Sequence, residues 1–160
     1  MTQYPHFGDI AVYGRSERMS LAVLEEKIGY VFTDKRLLQR ALTHSSYVNE
    51  AKEEDVASNE RLEFLGDSVL GFICAGMLFL EQDRFDEGGL SKLRAALVCE
   101  ASLAKFAGEI DLGKFIRFSR SEELADGGHR PSALADAFEA LIAAIYLDGG
   151  IEQAKKFILP

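Results

Sequence analysis

Four acidic side chains on two apolar segments are the residues of this 160-residue chain most able to do chemistry. In ALADAFEALIAAIYL, residues 133–147, Asp136 and Glu139 are the only groups expected to carry charge, and their i, i+3 spacing puts both carboxylates on one helical face. In ERLEFLGDSVL, residues 60–70, Glu60, Glu63 and Asp67 follow at i+3 and i+4 steps beside Leu62, Leu65 and Val69, while Arg61 falls elsewhere on the wheel. Such like-charge pairs cost only a few tenths of a kcal/mol (~0.3) on an open surface. The cost rises several-fold where both flanks are covered. Glu60 alone reads as a solvated helix start, whereas Asp67 enters a fully apolar turn and is expected to be desolvated. Gly66 beside it costs about 1 kcal/mol against alanine inside a helix, which points to close approach by another backbone or a ligand.

Pairing the two patches gives four carboxylates, Glu63, Asp67, Asp136 and Glu139, on helices that the apolar pattern makes core neighbours. Hard oxygen ligands favour Mg²⁺, with Mn²⁺ able to substitute, over zinc or copper. A di-iron bundle would carry Glu-x-x-His pairs, and none of His6, His44 and His129 is so placed. A divalent ion held this way keeps positions open for water and a phosphate, so phosphoester hydrolysis is the natural chemistry. Other signals are set aside. GEIDLGK, residues 108–114, fits the first seven positions of a phosphate-binding loop, but Phe115 stands where Ser or Thr must reach the metal. His44, Ser45 and Ser46 lack a nucleophile elbow and read as a loop or a cap. Lys27, Lys35, Arg36 and Arg40 form a modest basic face that reads as solvated surface, with contact to nucleic-acid backbone the minority reading. Phe64 reads from pattern alone as a core residue.

These groups need a scaffold. With 48% hydrophobic and 28% charged residues, the chain suits one globular domain. Its 18 basic and 26 acidic residues leave a formal charge of −8, which argues against a basic arm on nucleic acid but not against contact mediated by metal. Cys74 and Cys99 read as reduced core thiols. No continuous apolar leader opens the chain, and residues 132–147 are too short and too acidic for a membrane span, so a soluble, cytoplasmic protein without membrane contact is expected. No proline falls between Pro5 and Pro131, which favours helices. Residues 1–19 read as a poorly defined extension. Helices are expected at 21–28, stopped by Gly29; after a cap at Thr33 or Asp34; at 60–80, the central buried helix, capped by Ser58 or Asn59; at 90–98; at 102–110; from a Ser132 cap to the Gly149–Gly150 pair; and at 151–159. Residues 43–59 read as loop, 86–89 as a turn, and the stretch before Gly128 as mostly looped. Strand alternation is nowhere sustained, so the expectation is an all-α bundle of six to eight helices.

Four stretches carry a resemblance: HSSYVNE (44–50), NERLEFLGDSVL (59–70), DEGGLSKLRAALV (86–98) and ALADAFEALIAAIYLDGG (133–150). Over residues 21–160 the chain resembles the endonuclease domain of bacterial ribonuclease III, and the run NERLEFLGD is highly specific to that family. The resemblance implies the all-α, dimeric ribonuclease III endonuclease fold over residues 20–160. It implies Mg²⁺-dependent cleavage of double-stranded RNA to 5′-phosphate and 3′-hydroxyl ends with short 3′ overhangs, in rRNA and mRNA processing. Glu63, Asp67, Asp136 and Glu139 would be the metal ligands, Asp67 and Glu139 the catalytic pair, and Glu60 and Glu87 auxiliary acids lining a valley between subunits. Phe64 is similar to the aromatic that inserts into the partner subunit, which would move it from core to dimer anchor. No nucleotide cofactor is implied. The family usually continues into a double-stranded-RNA-binding domain, and none is expected in residues 1–160. Two other classes stay open: an all-α, Mg²⁺-dependent nucleotide pyrophosphatase, which also mounts acids on helices, and a non-catalytic duplex-binding dimer module.

Overall fold

A computed structural model describes residues 20–51, 56–81 and 84–159. Within them the chain forms α1 (Leu21–Ile28), α2 (Lys35–Ala41), α3 (Ser45–Ala51), α4 (Glu60–Glu81), α5 (Glu87–Val98), α6 (Glu100–Glu109), α7 (Arg120–Leu124), α8 (Pro131–Gly149) and α9 (Ile151–Ile158), with 3₁₀ turns at Leu112–Lys114 and Gly127–His129. The all-α expectation holds. No strand occurs among the described residues, only an isolated parallel bridge between Thr43 and Arg117. The expected extension at 1–19 lies outside the described residues.

The core is built around α8. Ala137, Ala140, Leu141, Ile142, Ala143, Ala144 and Ile145 are wholly buried, because small residues on every face let neighbours close in from all sides. α4, α6, α2 and α9 pack on it, adding Leu38, Leu70, Ile73, Leu103 and Ala154, and Leu24 of α1 and Leu112 of the first 3₁₀ turn join the same core. α4 contains a stretch, Glu60–Leu80, with the length and mean hydropathy (1.6) of a membrane span. Here one side of it covers α8. Asp148, near the end of α8, accepts hydrogen bonds from the Tyr30 hydroxyl (2.7 Å) and from the N–H groups of Thr33 and Asp34 (both 2.8 Å), pinning the α1–α2 connection to the central helix.

Several local expectations are corrected. α3 lies inside the stretch read as loop; it buries no residue, so apolar periodicity could not announce it. It is held instead by polar bonds from the 117–120 segment: Ser119 N–H donates to the Ser46 hydroxyl (3.0 Å) and Arg120 N–H to Glu50 Oε2 (2.9 Å). Residues 87–89 open α5 rather than forming a turn, since Asp86 caps that helix by accepting the Gly89 N–H (2.8 Å). α6 begins at Glu100, and α7 falls within the stretch read as mostly looped. α8 starts at Pro131, with Arg130 rather than Ser132 at the cap position, because proline at N1 needs no donor. Nine α-helices therefore replace the expected six to eight among the described residues. Cys74 is buried as expected, but Cys99 is exposed at the α5–α6 junction.

The decisive contact is between α4 and α8. A Cβ built on Gly66 would lie 1.9 Å from the Glu139 carbonyl oxygen, so the two backbones touch there and only glycine fits. Gly66→Ala should therefore cost at least about 3 kcal/mol, beyond the usual range for overpacking because the obstacle is backbone. Gly76→Ala, on the same helix with nothing within 4 Å of its Cβ, should be neutral or stabilising by up to about 1 kcal/mol. Urea midpoints of the two variants test this; equal midpoints would contradict it.

Candidate metal centre

Because Gly66 meets Glu139, the acidic turns of α4 and α8 face each other. Glu63, one turn before Gly66, and Asp136, one turn before Glu139, complete the approach. One carboxylate oxygen from each of Glu63, Asp136 and Glu139 lies within 4.8 Å of the others, and all three side chains are half-buried. Three anions so close raise one another's proton affinity. Glu139 is pushed up to about 7 by burial and by the charges of Asp67, Glu63 and Asp136. Burial and the charges of Asp136, Glu60 and Asp67 push Glu63 up. Asp136 is raised by burial and by Glu100, while His44 and Arg130 pull it the other way. Hard oxygen donors that repel one another fit a divalent cation, which would replace the repulsion with coordination.

The four predicted ligands are not treated alike. The structure brings Glu63, Asp136 and Glu139 together and leaves Asp67 exposed, at the edge of a groove it shares with Ser68, Ser91 and Arg94, close enough for its charge to act on Glu63 and Glu139. The expectation that Asp67 is desolvated is thus corrected: after Gly66 the α4 face bearing it turns off α8. Glu60 is exposed, accepts a hydrogen bond from the Ser58 hydroxyl (2.7 Å), and acts on Glu63 and Asp136 through charge. Glu87, exposed at the start of α5, accepts from the Ser91 hydroxyl (2.8 Å) and stands outside the cluster. Phe64 is 78% exposed, so the reading as a core residue is corrected.

Sequence reasoning missed Glu100, whose charge is the strongest of those acting on Asp136. It has no acidic neighbour at helical spacing, so only the fold could reveal it. The loop-like run and the basic face stay aside. Lys114 of the loop-like run binds Asp111 (2.8 Å), which Lys27 also reaches (2.6 Å). Lys35 pairs with Glu25, Arg36 with Asp34 (2.8 Å), and Arg40 Nε donates to the Ser58 carbonyl (3.2 Å). The cations of the basic face are therefore each engaged within the chain.

The raised proton affinities carry a sign. Glu139 in the folded protein holds its proton to about pH 7, against 4.5 for the ordinary group. Its contribution to stability is full below the lower value and is lost as pH rises through the upper one. In chelator, Glu139→Gln should melt above the unsubstituted protein at about pH 8, with the gap closing as pH falls through this window. Mg²⁺ should raise the melting temperature of the unsubstituted protein and barely move the variant. Parallel melting curves for the two proteins would contradict this.

Comparison with known proteins agrees with the geometry. The ribonuclease-III-like family model matches residues 34–160. Ribonuclease 3 of Caldanaerobacter subterraneus subsp. tengcongensis is 55% identical over 139 residues, 87% of this chain and 60% of that protein. Ribonuclease 3 of Bacillus cereus is 48% identical over 146 residues, 91% of this chain and 60% of that one. The chain thus spans about 60% of the length of these curated relatives. A solved nuclease domain of ribonuclease III from Campylobacter jejuni, described for structural flexibility in a region involved in dimer formation, superposes with a TM-score of 0.81 at 47% identity. The match covers 88% of this chain and 94% of that one. A 2.2 Å crystal structure of the same domain gives 0.79, covering 87% and 90%. An acidic cluster set by one backbone contact, an all-helical frame and these likenesses converge: the chain belongs to the ribonuclease-III-like family and has the fold of its nuclease domain.

Proposed function

We propose that this chain is the catalytic part of a cytoplasmic endoribonuclease that cleaves double-stranded RNA with Mg²⁺, leaving 5′-phosphate and 3′-hydroxyl ends with short 3′ overhangs, in rRNA and mRNA processing. The observation that carries the reading is the convergence of Glu63, Asp136 and Glu139 on one small volume. In this reading those three and Asp67 hold the metal, with Asp67 and Glu139 closest to the reaction. Bound there, a divalent ion supplies an activated water and a counter-charge for the phosphate. The chain's own residues do the rest. Gly66 fixes the spacing of the two acidic turns, Glu60 and Glu87 extend the acidic lining, and the half-buried setting of Glu139 excludes bulk water from one side of the reacting phosphate.

The reading includes a homodimer. Phe64, Phe72 and Phe79 are 78%, 65% and 72% exposed, and at 100° per residue they fall within about a quarter-turn of α4. Covering each such ring contributes about 1.5–3 kcal/mol, and a two-fold interface covers the set once on each subunit. Phe64 adjoins Glu63, so its docking would fix that ligand's helix while placing one centre opposite each strand of a duplex.

Two experiments test this. On a labelled RNA duplex, Asp136→Ala and Glu139→Gln should lower Mg²⁺-dependent cleavage by more than about 100-fold, the loss expected even of a group that only supports a metal ligand. Their circular dichroism should be unchanged. Turnover retained by either variant refutes the assignment, and hydrolysis of a nucleoside triphosphate in place of the duplex would favour a pyrophosphatase. Separately, Phe64→Glu should weaken self-association by roughly 30-fold or more for each buried copy, read by sedimentation. An undiminished dimer would remove Phe64 as the anchor.

A further inference from the structure

His44 stands at the head of α3, beside the acidic centre. Its Nδ1 accepts the Ser46 backbone N–H (3.1 Å) and lies 2.8 Å from the Ser46 hydroxyl. That hydroxyl accepts the Ser119 N–H (3.0 Å), which leaves its own proton to be donated to Nδ1. A ring nitrogen receiving two hydrogen bonds carries no proton, so the neutral imidazole is held as the Nε2–H form. One side of the ring packs on Phe118, centroids 5.0 Å apart. The charges facing it come from three further elements: Arg130 and Asp136 at the start of α8, Glu122 of α7 and Glu60 of α4. The ring is half-buried and Nε2 has no hydrogen-bond partner among the described residues.

We propose that His44 is a phosphate-binding residue, its Nε2–H donating to a non-bridging oxygen of the RNA backbone lying over the acidic centre. This inference rests on the duplex-cleavage reading. A polyanion arriving at Glu60, Glu63 and Asp136 needs donors, and the two arginines beside His44 are engaged: Arg130 binds Glu122 (3.0 Å), and the Arg117 guanidinium donates to the Thr43 hydroxyl (2.6 Å) and lies over the Tyr47 ring (4.6 Å). A neutral N–H meets that need without adding a charge that would compete with the metal for Asp136. The Ser46–Ser119 network therefore does more than cap α3, because it selects which ring nitrogen offers the proton.

Two substitutions separate donation from capping. Asparagine at 44 can accept the Ser46 N–H and keep the cap, but its amide ends near the Nδ1 position. Glutamine reaches the Nε2 position with an N–H and forfeits the cap. With labelled duplex RNA and Mg²⁺, His44→Asn should lose roughly 10- to 100-fold in kcat/KM, the worth of one hydrogen bond to a charged acceptor, mainly through KM. His44→Gln should stay within about threefold of the unsubstituted protein. Melting temperatures should rank the other way, Asn above Gln. Full activity in His44→Asn, or an equal loss in both variants, overturns the proposal. Nitrogen-15 spectra of the unsubstituted protein should show the Nε2–H tautomer, and the Nδ1–H form would overturn it without any activity assay. Should the unsubstituted protein leave duplex RNA intact, the cleavage reading fails and takes this inference with it; cleavage by His44→Asn at full rate removes this inference alone.

Discussion

One backbone contact governs the functional face of this protein. α4 and α8 touch where Gly66 meets the Glu139 carbonyl, and that touch sets how far apart Glu63, Asp136 and Glu139 can be. Carboxylates on long side chains would otherwise swing away from one another, since each gains solvation by doing so. They stay together because the burial of α8 fixes its register: with Ala137, Ala140 and Leu141 wholly enclosed, the helix cannot slide or roll to relieve the repulsion. Hydrophobic packing holds an electrostatically unfavourable arrangement, and the cost shows as proton affinities pushed above the ordinary range for all three acids. Such stored repulsion is what makes a centre receptive to a divalent ion.

Charge is also managed outside the centre. The protein carries a net −8, yet the cations of its first two helices are matched to carboxylates or a carbonyl close by, as with Lys27 and Asp111 or Arg36 and Asp34. A surface so arranged offers little long-range attraction to a polyanion, so under the proposed reading recognition would rest on short-range hydrogen bonds and on a bound metal.

What the sequence made legible follows the physics of each element. α4 and α8 are long and apolar, so period and composition exposed them, and Gly66 beside Asp67 pointed to a close approach, although Gly76 on the same helix meets nothing and shows that glycine alone does not prove one. The i, i+3 pair in α8 was readable for the same reason. α3 was not: SSYVNEA buries nothing and is helical through bonds to residues some seventy positions away. Asp67 looked enclosed because its flanks on the wheel are apolar, but apolar flanks on α4 include the exposed Phe64 and Phe72. Periodicity cannot distinguish a face bound for the core from one bound for another molecule. Glu100 was invisible because its relation to Asp136 exists only in three dimensions.

The absence of any buried residue in α3 has a consequence for motion. A helix held by a few polar bonds and by half-buried contacts such as Tyr47 under the Arg117 guanidinium (4.6 Å) opens at a lower free energy than the enclosed α8. In hydrogen-exchange terms the amides of α3 should trade with solvent before those of α8 do. One wall beside the acidic centre can therefore open while the framework around α8 stays intact.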